Sequence, residues 1–118
     1  MGTLRTKETE ERYKKLKNED SFLVGCSLCK APSIIEFNHW RIIDNAFPYD
    51  YIADLHHMVV TKRHMAEDQL SQEEKGELES LRLGYINEKY EFLMEATKKK
   101  KSIPGHAHVH LIVAKERT

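Results

Sequence analysis

The chain has 118 residues, a usual size for one domain, and its 40% hydrophobic and 32% charged content excludes a disordered polymer. Lysine plus arginine and aspartate plus glutamate number 19 each, so the broad positive field behind non-specific nucleic-acid binding is missing; no nucleic-acid partner is expected, and a small ligand is. No apolar run is long enough to cross a bilayer, and "MGTLRTKETEERYKKLKNED" is charged where a secretory signal would be apolar, so a cytoplasmic protein without membrane attachment is expected.

Residues 5 to 18 are strong helix formers with few apolar positions (Tyr13, Leu16). They predict a charged, solvated helix within residues 1–20, loosely attached to a single domain over 21–118. Cys26 and Cys29 are the only cysteines, too few for a disulfide-stapled scaffold and spaced as a metal half-site or a redox pair. "SIIEF" and "WRIID" are β-branched runs that predict a hairpin turning at Asn38 and His39. "NAFPYDYIAD" reads as a loop around Pro48, "HHMVVT" as a third strand and "KRH" as the loop after it. Ser71 followed by Glu74 has the form of a capping box, and Leu78, Leu81, Tyr85 and Ile86 continue at helical spacing, which predicts a helix over 72–87. Gly84 and Asn87 favour an end to that helix, with "YEFLMEA" as a strand beyond it and the lysines at 98–101 as a solvated turn. Strands, one good helix and no regular alternation of the two predict an α+β fold with a largely antiparallel sheet.

The segment "GHAHVHLIV", residues 105–113, carries the chemistry. Side chains alternate across a strand, so His106, His108 and His110 are expected on one face, with Ala107, Val109 and Leu111 on the other. Imidazoles are costly to bury without partners, so the histidine face is a site and the other face is core. Two chemistries fit that geometry: the histidines ligate a metal, or one neutral imidazole attacks phosphorus while its neighbours hold its tautomer and stabilise phosphate charge.

"HAHVHLI" resembles the His-x-His-x-His-aliphatic signature of the histidine triad superfamily of nucleotide hydrolases and transferases. "HHMVVTKRH" is similar to that family's His-x-x-(aliphatic)2-Pro-x-x-His, "DNAFPYD" to its Asn-x-x-Pro-Tyr loop, and "CSLCK" to the Cys-x-x-Cys of many members. In this order the four stretches cover roughly residues 26 to 113. The resemblance implies a twisted antiparallel sheet flanked by helices, a homodimer, and a purine nucleotide or nucleotide conjugate as ligand. It implies hydrolysis or transfer at the α-phosphorus of a nucleoside phosphoramidate or dinucleoside polyphosphate, through a nucleotidyl-histidine intermediate.

By the same resemblance His108 is the nucleophile, His110 a donor to phosphate oxygen or the bridging atom, and His56 a histidine leaning on the triad. The reaction requires a neutral ring with one nitrogen's lone pair turned to phosphorus and the other nitrogen hydrogen-bonded. Asn45 matches a ribose contact, with a purely turn-forming asparagine as the other reading. His57 is expected on the opposite strand face. Cys26, Cys29, His64 and His106 match a closed tetrahedral site for structural zinc, which requires His106 to turn away from the shared face. Three positions depart from the family pattern. Thr61 stands for the usual proline, Ala96 or Thr97 for an asparagine, and "TKKKKSIPG" lacks a Gly-Gln pair that contacts phosphates, leaving Ser102 as the nucleotide-binding substitute. A non-catalytic nucleotide- or partner-binding module and a catalytic metal site built from the histidines remain as alternatives.

Overall fold

The computed structural model describes residues 3–17, 26–97, 103 and 105–116. Helix α1 (Lys7–Lys17) is followed by the single turn α2 (Ser27–Lys30), then strands β1 (Ser33–Glu36), β2 (Trp40–Asp44) and β3 (Ala53–Thr61). A 3-10 turn (Glu67–Gln69) leads into α3 (Gln72–Leu81), a π turn (Arg82–Ile86), the short α4 (Asn87–Lys89), and strands β4 (Phe92–Met94) and β5 (His108–Ala114). The strands form one five-stranded antiparallel sheet in the order β1-β2-β3-β5-β4, which bears out the α+β class. No helix among the described residues is long and apolar enough to cross a membrane.

The apolar runs of β2 and β3 lie inside the sheet with both of their faces covered, whereas β1 is an edge strand with Ile34 exposed. Trp40, Ile42, Val59, Val109 and Leu111 pack on one face with Leu81 and Ile86 of the helical segment. Ile43, Met58 and Val60 pack on the other with Leu28 of α2. The hairpin turns at Asn38 and His39 as expected, closed by the Phe37 N–H to Trp40 carbonyl bond of 2.8 Å.

The capping box at Ser71 is present: its hydroxyl accepts the Glu74 N–H at 3.1 Å, and Glu74 Oε1 accepts the Ser71 N–H at 2.8 Å. Glu74 is 2% exposed, and its carboxylate also receives Arg63 bidentately, Nε at 3.1 Å and Nη2 at 2.6 Å. The Arg63 hydrogen bonds, with those from Ser71, hold its carboxyl down at about 2. Glu74 thereby ties the loop after β3 to the start of α3, and its backbone carbonyl accepts Trp40 Nε1–H at 2.8 Å.

The elements differ from expectation at three places. β3 begins at Ala53 rather than His56, because Ala53 pairs with Ala114 beyond a register shift. Gly84 and Asn87 do not end the helical segment: Gly84 lies inside the π turn, and the backbone turns extended only at Tyr90 (φ −126°, ψ 159°). Helix α1 is bound rather than loosely attached. Its first turn is held by Asp50, which accepts the Thr6 N–H at 2.8 Å and the hydroxyls of Thr6 and Thr9. Burial pushes the Asp50 carboxyl up, but the bonds from Thr6 and Thr9 outweigh it and leave it below the ordinary range.

Candidate active site and metal cluster

β5 begins at His108, so the three histidines do not share one strand face: His106 precedes the strand and its ring turns to the cysteines. His106 Nε2 lies 2.8 Å from the Thr61 carbonyl and must carry the hydrogen there. Nδ1 is then the basic nitrogen, 3.5 Å from Cys26 Sγ and 3.4 Å from Cys29 Sγ. Burial, reinforced by His64, His108 and Arg41, lowers the proton affinity of the His106 ring despite the Thr61 bond, which favours this neutral form. His64 Nδ1 lies 3.2 Å from Cys29 Sγ. One donor atom from each of Cys26, Cys29, His64 and His106 falls within 4.8 Å of the others, so the four expected ligands form a cluster that can hold a metal ion. Partial burial, and then the Cys26 thiol, raise the Cys29 thiol above its ordinary value; a cation reverses this by binding the thiolate form.

Arg41 organises the cysteine turn. Its guanidinium donates to the carbonyls of Leu28, Ala31 and Cys29 from a residue only 9% exposed. Thr61 shows what replaces the expected proline: its N–H donates to the Ala107 carbonyl at 3.3 Å, a bond proline lacks, while its buried hydroxyl has no partner among the described residues.

His108 and His110 lie on the opposite sheet face from Val109 and Leu111, paired in register with Val60 and Met58. His108 Nδ1 donates to the His106 carbonyl at 2.7 Å, which makes Nε2 the lone-pair nitrogen of the neutral ring. His56 Nδ1 accepts the Tyr49 N–H at 2.9 Å, so its Nε2 carries the hydrogen and donates to His110 Nδ1 at 2.8 Å. His110 is left with its hydrogen on Nε2, 3.4 Å from the Tyr49 hydroxyl. Burial, with the charge of Arg5 and the neighbouring His57, brings His56 down to about 4, so the His56 ring is neutral at neutral pH.

His108 and His110 line a pocket of about 200 Å³, whose walls include Ile43 and Met58 of the sheet, Leu28 of α2, and Tyr13 and Leu16 of α1. Asn45 lines it too. Its carbonyl accepts the Phe47 N–H at 2.8 Å and its amide lies 3.4 Å from His56 Nε2, so it forms its turn and reaches the site. His57 faces the other side, 2.7 Å from the Tyr90 hydroxyl, as alternation requires. Ser102 lies outside the described residues. Sequence reasoning missed Arg5, Tyr13, Leu16, Tyr49 and Arg41. Arg5 lies before α1 and had no local signal, whereas Tyr49 stands in the "DNAFPYD" stretch already matched to the Asn-x-x-Pro-Tyr loop.

No family model matches the chain, and no curated protein matches it.

The depressed His56 sets a pH dependence of stability. Between 6.5 and about 4 the unfolded chain binds a proton that the folded His56 refuses, so acid favours unfolding by up to roughly 3 kcal/mol from this group alone. The stability is full above 6.5 and falls as pH drops toward 4. Urea unfolding across that range is expected to show a shallower loss in His56→Gln than in the parent chain; identical pH slopes would contradict the assignment.

Proposed function

We propose that the protein is a nucleotide hydrolase or nucleotidyl transferase of the histidine triad type, acting at the α-phosphorus of a purine nucleotide conjugate through nucleotidylated His108. The observation that carries this reading is the His108 ring: its Nδ1–H is committed to the His106 carbonyl at 2.7 Å, and the ring lines a largely apolar pocket. A neutral imidazole so held presents Nε2 as a nucleophile.

In the first step the Nε2 lone pair forms an N–P bond as the bond from phosphorus to the leaving group breaks, and that electron pair departs with the leaving group. A polyphosphate leaves as an anion and needs no proton; an amine leaving group takes its proton from water. His110 Nε2–H donates to a phosphoryl oxygen, where charge grows as phosphorus is attacked. His56 holds the opposite nitrogen of His110 and so keeps that hydrogen on the substrate side. In the second step water attacks phosphorus, the N–P bond returns its electron pair to Nε2, and the water proton passes to solvent with release of mononucleotide. Asn45 serves the ribose hydroxyls.

The cluster of Cys26, Cys29, His64 and His106 suits zinc. Two thiolates and two imidazoles fill a tetrahedron and leave no open position, the pattern of a structural ion. When bound, zinc cross-links α2 to the residues before β5 and supplies no reacting group. His108 and His110 are not part of the cluster, which favours this reading over a catalytic metal.

The assembly proposed is a homodimer. β4 is an edge strand that leaves Phe92 57% and Leu93 40% exposed, with Leu83 66% exposed beside it, an unprotected edge that a second copy covers.

Incubation with a dinucleoside polyphosphate or an adenosine phosphoramidate should release mononucleotide, and His108→Ala should lower turnover by at least about a thousandfold; equal turnover by the variant rules out the mechanism. Elemental analysis should find zinc equimolar with the chain. Chelation should lower the melting midpoint by more than about 5 °C, the shift that roughly 1 kcal/mol gives a domain of this size, and an unchanged midpoint would exclude a structural ion. Sedimentation should give the mass of a dimer for the parent chain and of a monomer for Phe92→Lys, whereas a parent monomer defeats the edge-pairing proposal.

A further inference from the structure

Arg5 lies just before α1, and its guanidinium sits between two aromatic rings, 4.4 Å from the Tyr13 centroid and 5.0 Å from that of Tyr49. Nε donates to the Phe47 carbonyl at 2.7 Å. Nη1 reaches Glu10 Oε2 only at 3.4 Å. A guanidinium has five N–H donors, and these two bonds leave the others without an acceptor among the described residues. The side chain is 13% exposed, and none of its nitrogens is sealed from solvent without a partner, so those donors are open to the pocket that Arg5 lines. Arg5 is also the one permanently cationic side chain among the described residues lining the pocket of His108 and His110.

Of the groups around it, the aromatic rings are uncharged, Glu10 meets one guanidinium nitrogen, and Asp44 also lines the pocket. The Tyr49 ring lies between Arg5 and the histidine pair, its centroid 4.6 Å from that of His56 and 4.9 Å from that of His110. Burial keeps His56 uncharged, and its Nε2–H is given to His110 Nδ1. The chain also lacks the Gly-Gln pair expected before the triad. An anionic substrate in this pocket therefore has one fixed cation to meet. A planar fork, oriented by stacking and by one carbonyl, is preorganised for two oxygens of a phosphate.

We propose that Arg5 is a substrate-binding residue, its unused guanidinium N–H groups holding a phosphate of the nucleotide in the pocket that His108 and His110 line. This rests on the nucleotide reading above and assigns a role to the segment before α1. It makes α1 part of the binding site: the same residue stacks on Tyr13 of the helix, bonds the loop at Phe47 and holds the anion. A substrate of this kind bears an anionic group that adenosine lacks.

Calorimetric titration with AMP and with adenosine tests the proposal without turnover. In the parent chain AMP should bind more tightly than adenosine, and the AMP affinity alone should fall as salt rises. Arg5→Gln should weaken AMP roughly tenfold or more and leave adenosine unchanged; Arg5→Lys should recover part of the loss, because it restores charge without the planar fork. AMP binding that is insensitive to salt, or an Arg5→Gln variant that weakens AMP and adenosine alike, would overturn the role of Arg5 while leaving the nucleotide reading intact. If the parent chain binds neither ligand, the nucleotide reading itself fails, and the role of Arg5 with it. Should Arg5→Gln not fold, the salt dependence of the parent chain decides alone.

Discussion

The hydrogen bond from His108 Nδ1 to the His106 carbonyl is the contact on which the site depends, because it couples a ring's tautomer to the backbone of the preceding histidine. His106 is held from three directions. Its Nε2 reaches the Thr61 carbonyl, its Nδ1 faces the cysteines, and the N–H of the following Ala107 donates to the Met65 carbonyl at 2.7 Å. The carbonyl that orients His108 is therefore as rigid as the cysteine–histidine cluster and the β3 end together. Cluster and nucleophile are two outputs of one short backbone segment.

Burying so many imidazoles close together requires a defined role for each ring nitrogen. His56, His106, His108 and His110 are all less than 9% exposed. A charge on any of them would be poorly solvated and would repel its neighbours. The structure meets this by giving backbone groups first claim on the rings: the Tyr49 N–H on His56, the Thr61 carbonyl on His106 and the His106 carbonyl on His108. Backbone partners do not themselves titrate, unlike carboxylates. Among the described residues the two buried charges, Arg41 and Glu74, lie outside the pocket's polar pair and serve as ties, one gathering the carbonyls of the cysteine turn and the other joining the loop of His64 to α3.

Features with a local period or a local partner were legible in the sequence. The capping box of Ser71 and Glu74 is a four-residue motif, the hairpin at Asn38 and His39 a two-residue turn, and the alternation of His108 to Leu111 a direct consequence of strand geometry. The cluster of Cys26, Cys29, His64 and His106 was reached through resemblance, since ligands separated by 80 positions share no spacing rule. What was not legible is long-range. Arg41 looks like a charge inside an apolar run, and nothing local says that its guanidinium will close on carbonyls at Leu28 and Ala31. Helix α1 was misjudged for a related reason. Its apolar stripe is narrow, but Tyr13 stacks edge-on to Phe47 at 5.2 Å and Asp50 caps its first turn, so aromatic and polar contacts replace the missing aliphatic face.

The π turn at Arg82–Ile86 belongs to the same class of surprise. Gly84 and Asn87 carry weak helix propensity, which locally argues for termination, yet Leu81 and Ile86 are both buried against Trp40 and Ile42. An α-helix places residues five apart on different faces; the wider turn changes that angle and brings both side chains onto the sheet. Core packing thus outweighs propensity on one face, while on the other the histidines are arranged by hydrogen bonds to backbone. One sheet separates the two requirements: apolar alternation fixes which residues face α3, and the residues left over are those free to do chemistry.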